Sequence, residues 1–422
     1  MPANIVYISN MNGAVGNLFD ALYQYKTQIF DAIMMTSILM IPLMIRSYVD
    51  NKGRKGFWAL TFVSMLFFAY GFILIIRGTP ALVGFPLGFS YGFGSTFLKI
   101  NDVLSSNNHI EVKPFNMKHH PKKIIVVIGE SVEYNEFTKL YNTMPNAYNF
   151  GLTYSGANCS TASNYILRKG TWYPSDNNSL KVWEVESLFS LAKHQNFKTV
   201  FIDNQNVLHD IILRNYFTDS ELHDIDKIYE AEDTYASRDM NSLSIVKKEL
   251  MNNKVFIFIN KVGAHFPYES TISKDLVSTD NMKNYRTSIK QNVILYLQKL
   301  LTMIDNDTVV LYTSDHGQNF SANATHCNPG NLASQSEYAV PFIMLSKNEI
   351  MSKLLMQSVK KYKNNLSHIE FSESVRNLLG YKVENIDSIY KQTAKNINLG
   401  FCGLYGQPIP FLGVNPSCKK LK

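Results

Sequence analysis

The sequence predicts an α/β fold with a mostly parallel sheet, preceded by a short transmembrane helical region. Two observations predict the sheet. Short apolar runs rich in β-branched residues recur from Lys122 onward, separated by helix-length amphipathic stretches. Several of these runs stop at an acid, an imidazole or a glycine, as in Val309–Gly317, VVLYTSDHG. A third observation predicts the anchor: Phe57–Ile76, FWALTFVSMLFFAYGFILII, is uncharged and reaches the roughly 20 residues that a bilayer span requires.

A chain of 422 residues exceeds one simple core, so two or three units are expected. With 45% hydrophobic and 18% charged residues it has the composition of a folded protein. The net charge of +7 is modest, and no Lys/Arg run is long enough to suggest nucleic acid. Mild attraction to an anionic membrane surface fits the same balance.

Residues 1–78 read as a membrane anchor. The first apolar segment, Ile29–Ile45, defines a span over about 29–47; it is marginal in length and carries Asp31 near one end. The second defines a span over 57–76. Arg46, Lys52, Arg54 and Lys55 lie between them, and short cytoplasmic loops concentrate such residues. That places everything after Arg77 on the external side. A buried helical hairpin is the competing reading, and it stays open for the first segment. A cleaved signal peptide fits poorly, because the first run starts late and lacks a basic lead-in. An external N-terminus without a preceding helix suggests a shortened relative of a protein with more spans. Residues 79–120, rich in Gly, Pro and aromatics at their start, read as an interfacial linker.

Residues 121–422 carry the regular alternation. Strands are expected at Ile124–Ile128, Thr199–Ile202, Val255–Ile259, Thr308–Tyr312 and Val340–Leu345. Helices are expected at Val185–His194, Met240–Met251, Tyr285–Ile304 and Ile369–Leu379. In the Gly- and Pro-rich tail, Cys402 and Cys418 would close a loop by disulfide in an external compartment.

The ends of the expected strands hold the chemistry. Ile124–Ile128 runs into Gly129-Glu130-Ser131, Val255–Ile259 leads to His265, and Thr308–Tyr312 leads to Asp315 and His316, with His326 ten residues on. Ligands of open parallel sheets bind at the carboxyl ends of the strands. Two carboxylates with up to three imidazoles there suit zinc. Calcium and magnesium prefer all-oxygen shells, and manganese ranks behind zinc. Each residue alone has an ordinary explanation, such as a helix N-terminal charge for Glu130. Ser160, Thr161 and Ser163 in NCSTAS are a hydroxyl cluster that would serve as a helix N-cap or as a nucleophile beside a metal.

VVIGES, NCSTAS, VGAHFPY and TSDHG, in this order, resemble the phosphoethanolamine transferases, membrane-anchored bacterial enzymes of the alkaline phosphatase and sulfatase superfamily. The resemblance covers roughly residues 122–346 and implies an alkaline phosphatase-like α/β/α sandwich. It also implies Thr161 as the nucleophile, with Glu130, Thr161, Asp315 and His316 as zinc ligands. His265 and His326 would contact the phosphate group or help to hold a second zinc. The implied reaction moves phosphoethanolamine from phosphatidylethanolamine to lipid A, lipopolysaccharide core or another envelope glycan, through a phospho-threonine. The implied location is the inner membrane, with the catalytic part in the periplasm. Departures are the absence of the Val-Pro-Cys segment after the nucleophile, Gln318 in place of a glutamate, and Thr325-His326-Cys327 in place of Leu-His-Gly. If Thr161 and His326 line one site, Cys159 and Cys327 come near enough to bridge. A glycerol-phosphate transferase or phosphodiesterase of the same fold is the alternative. A sulfatase-like hydrolase is disfavoured, because CSTASN lacks the Pro and Arg of a formylglycine signature.

Overall fold

The structure is a computed structural model. It describes residues 120–170, 186–206, 217–381 with short gaps, and three short strands nearer the C-terminus. The anchor spans over 29–47 and 57–76, the linker 79–120 up to residue 119, Cys327, Cys418 and the side chains of Thr161 and Cys402 lie outside the described residues. Among the described residues no helix is long and apolar enough to cross a membrane.

In chain order the elements are β1 (Lys123–Gly129), α1 (Tyr134–Leu140), β2 (Ala147–Tyr154), α2 (Ser160–Lys169), α3 (Leu188–His194), β3 (Lys198–Asp203), α4 (Asp219–His223), β4 (Lys227–Glu230), α5 (Arg238–Glu249) and β5 (Val255–Asn260). Then come α6 (Asn281–Ser288), a π-helical turn (Ile289–Leu295), α7 (Tyr296–Met303), β6 (Thr308–Ser314), β7 (Ala339–Ser346), α8 (Glu349–Tyr362), β8 (Leu366–Ser367) and α9 (His368–Leu378). A separate antiparallel sheet joins Leu399–Cys402 to Gln407–Pro410 and to Lys419–Lys420.

Eight strands form the main sheet in the order β4-β3-β5-β1-β6-β7-β2-β8. Pairings from β4 across to β6 are parallel, and so is β2 with β8. β7 is antiparallel to both of its neighbours and is therefore, among the described residues, the one reversed strand of this sheet. All five expected strands and all four expected helical patterns are present, with ends shifted by a few residues. The expected Tyr285–Ile304 helix starts earlier, at Asn281, because Asp280 caps it through Met282 N at 2.8 Å.

The strands read as unbroken apolar runs because helices cover both faces. Alternate side chains of β1 go to opposite cores. Ile124, Val126 and Ile128 join Phe256, Phe258 and Leu311 beneath α2, α3, α8 and α9. Ile125 and Val127 join Ile257, Ile259 and Val310 beneath α1, α5, α6 and α7. The result is an α/β/α sandwich. Its central strands send their C-terminal residues to one edge, where Glu130, Gln205, Lys261 and Asp315 all follow parallel strands.

Candidate metal centre

Glu130 leaves β1 through a tight turn in which Ser131 takes a left-handed backbone, φ 60°. That unfavourable conformation aims Ser131 N–H at Asp315 Oδ1 (3.1 Å), and its hydroxyl donates to Glu130 Oε1 (3.0 Å). Asp315 and His316 leave β6 together. Their turn packs so tightly that a Cβ on Gly317 would lie 1.9 Å from Ser336 O.

Glu130, Asp315 and His316 are essentially inaccessible to solvent, and each offers a ligand atom within 4.8 Å of the others. His316 Nδ1–H donates to Gly317 O (2.7 Å), which fixes the ring and turns the Nε2 lone pair inward. That nitrogen lies 3.2 Å from Glu130 Oε1 and 3.5 Å from Asp315 Oδ2. Among the described residues no group donates a hydrogen bond to Asp315 Oδ2, although it is buried. Two carboxylate oxygens and a nitrogen lone pair facing one another need positive charge between them. In the metal-free chain a proton supplies it. Burial opposes the imidazolium, but Asp315 and Glu130 overcome that and push His316 up to about 9. Burial also works to raise Glu130, yet the hydrogen bond and charge of His316 hold it well below the carboxylate range. Asp315 is driven well above that range by burial and by Glu130's charge. The residues present fit a divalent cation: an orphaned oxygen, a second carboxylate and an oriented imidazole are a coordinating donor set.

The hydroxyl-bearing end of α2 closes the cluster. Ser160 Oγ lies 3.0 Å from Glu130 Oε1 and 3.1 Å from His316 Nε2. Thr161 follows it in the first turn, and its side chain lies outside the described residues. Cys159, the N-cap of α2, is disulfide-bonded; its expected partner Cys327 lies outside the described residues. The His326 ring stacks on His316 with centroids 4.5 Å apart, and His265 meets His326 edge-on at 6.3 Å. Burial, with His316 beside it, holds His326 well below the usual histidine range, so it is neutral at neutral pH. His265 Nδ1–H donates to Phe266 O (2.5 Å), and Tyr235 packs edge-on against the ring at 6.5 Å. The structure thus brings Glu130, His265, Asp315, His316 and His326 to one place.

Three supporting residues were missed at the sequence level. Gln205, just after β3, donates to Glu130 Oε2 (2.9 Å) and to Lys261 O (2.6 Å). It obeys the same strand-end rule that singled out Glu130, applied one strand further out. His368 is buried in the first turn of α9, behind the Ser367/Glu370 capping box. Burial pushes it down to about 3, and as a neutral ring it donates to Ser314 O (2.9 Å) and accepts from Gly156 N (3.0 Å). Glu337 accepts from Asn158 (2.7 Å), Asn319 (2.8 Å) and Asn328 (3.0 Å), joining the loops that carry α2 and His326. Nothing local in the sequence marks either of these roles.

The model of the sulfatase family matches residues 122–381. Among solved structures, the zinc complex of the C-terminal periplasmic domain of EcEptC from Escherichia coli matches with a TM-score of 0.55. It is 17% identical over 73% of this chain and 98% of that one. The integral membrane lipooligosaccharide phosphoethanolamine transferase A from Neisseria meningitidis matches at 0.53, with 16% identity over 79% and 69%. The soluble domain of the same Neisseria enzyme matches at 0.50, with 15% identity over 66% and 93%. At such identities the likeness is one of fold. No curated protein matches this chain by sequence.

Proposed function

The chain belongs to the sulfatase family, and we propose that it transfers phosphoethanolamine from phosphatidylethanolamine to an acceptor of the bacterial envelope. The acceptor class is lipid A, lipopolysaccharide core sugar or another glycan. The proposed location is the inner membrane, anchored by residues 1–78, with the catalytic part in the periplasm. The observation that carries the reading is the buried Glu130–Asp315–His316 cluster set against the hydroxyl-bearing first turn of α2.

Glu130, Asp315 and His316, with Thr161, would hold zinc, one ion or two. Zinc bound there supplies Lewis acidity toward a hydroxyl and a phosphate oxygen, and manganese is the weaker candidate. Thr161 is the proposed nucleophile. Its oxygen bonds to phosphorus as the bond from phosphorus to the diacylglycerol oxygen breaks, and the hydroxyl proton ends on the diacylglycerol. In the second half an acceptor hydroxyl takes the phosphorus, and a proton returns to Thr161. His265 and the neutral His326 flank the cluster and would contact the phosphate oxygens. The fold excludes water from Glu130, Asp315 and His316, which strengthens every charge interaction in the site.

Ser160 is a second reading for the nucleophile, because its hydroxyl lies within hydrogen-bonding reach of Glu130 and His316. Thr161→Ala and Ser160→Ala separate the two. Mass spectrometry of envelope lipids and glycans should show transfer lost in Thr161→Ala and retained in Ser160→Ala. The reverse result assigns the serine; transfer in both variants refutes a hydroxyl of this turn. Intact mass of the trapped chain distinguishes phosphoethanolamine from glycerol-phosphate, the donor group of the alternative reading.

A further inference from the structure

Residues 261–265 are gripped from two sides by groups that the proposed chemistry does not use. Asp239, buried in the first turn of α5, accepts Val262 N–H (2.9 Å) and Gly263 N–H (3.0 Å), and also Asn204 Nδ2–H (2.9 Å). On the other side the Gly263 carbonyl accepts from the Ser288 hydroxyl (2.8 Å) and from Asn292 Nδ2 (2.9 Å). The same Asn292 amide reaches Thr271 O at 2.9 Å.

The Lys261 ammonium has no exposed surface. It sits 3.6 Å from Asp239 Oδ2 and 3.2 Å from the centre of the Tyr296 ring, and it donates to the Asn292 carbonyl. The turn that carries this carbonyl, Ile289–Leu295, is π-helical, and Tyr296 N–H, which would bond Asn292 O in an α-helix, turns to Val293 O. Burying an ammonium is unfavourable unless it is paired, and an apolar side chain would fill the same space without that cost. The backbone of the loop is meanwhile joined to the metal-ligand segment. Lys261 N donates to Ile128 O (3.0 Å), Ala264 N donates to Glu130 O (2.9 Å), and Gln205 spans Lys261 O and Glu130 Oε2.

We infer that Asp239, Lys261 and Asn292 form a clamp that fixes residues 261–265, and so sets His265 against the Glu130–Asp315–His316 cluster. They are positioning residues, built on a π-helical turn whose displaced hydrogen bond gives the clamp its anchor point. The kinetic part of this inference rests on the proposed transferase reaction; the structural part does not.

The test is hydrogen–deuterium exchange on the full chain with Asn292→Ala. Amides of Val262, Gly263 and Ala264 should exchange at least about ten-fold faster, with Phe256–Ile259 of β5 unchanged. In transfer assays kcat should fall about ten-fold with KM within about two-fold. Unchanged exchange at 262–264, or equal acceleration through β5, overturns the clamp. If Asn292→Ala is insoluble, the charge-neutral pair Lys261→Met with Asp239→Asn is read by the same two criteria. A wild-type chain without transferase activity would defeat the proposed reaction while leaving the exchange result to decide the clamp.

Discussion

Replacing Gly263 by alanine should cost stability and metal affinity together. Gly263 sits at φ +58°, where a residue with a Cβ pays about 1–2 kcal/mol. The added Cβ would also lie 2.4 Å from Glu130 N and 2.6 Å from Glu130 O, so backbone rather than a flexible side chain must move. Overpacking of that kind adds about 1–3 kcal/mol, for a total of about 2–5 kcal/mol. For a domain of this size the melting point should drop by roughly 5–15 °C in calorimetry. The displaced backbone carries a proposed metal ligand, so zinc affinity measured by titration should weaken about ten-fold or more. Gly151→Ala is the control. Gly151 also has a positive φ, +77°, but its Cβ would meet the Asn364 side chain, away from the cluster. That variant should lose stability with zinc affinity unchanged. Equal zinc affinity in wild type and Gly263→Ala would refute the argument that this close approach supports the site.

Two further outcomes follow from the electrostatics. At the proposed site zinc would have to displace the His316 proton, which Asp315 and Glu130 hold up to about 9, so binding should strengthen as pH rises; between about pH 6 and 8 the affinity should gain at least about ten-fold per unit. A flat profile in calorimetric titration would exclude His316 as a ligand. Asp315→Asn keeps the acceptor for Ser131 N–H and His316 N–H, and places an amide donor where Asp315 Oδ2 now has none. The chelator-treated variant should be as stable as wild type, or more so by about 1–3 kcal/mol, while losing zinc affinity more than about 100-fold. Destabilisation without loss of zinc would place the charge in a structural role.

The elements that the sequence revealed are those whose physics is local. β1, β5 and β6 are apolar and β-branched on both faces because both faces are buried, and that is visible without knowing their neighbours. Strand-end placement of Glu130, His265, Asp315 and His316 followed from the same local pattern. β2 was not visible: AYNFGLTY lies toward one side of the sheet, mixes polar with apolar residues, and bends at Gly151, where its pairing with β7 shifts register. The reversed direction of β7 was equally hidden, since an isolated strand has no preferred sense. The π-helical turn is silent in the Tyr285–Ile304 pattern, and so are the contacts that Asn292 makes from it to Lys261 and Gly263, far away in the chain.

Sequence alone therefore determined the alternation of elements and the chemical types delivered to one sheet edge. The tertiary structure decided which of those groups meet, which nitrogen of His316 faces inward, and which oxygen of Asp315 is left without a donor. The reason is range: hydrophobic periodicity is written over a few residues, whereas a coordinating geometry depends on atoms joined through nearly two hundred.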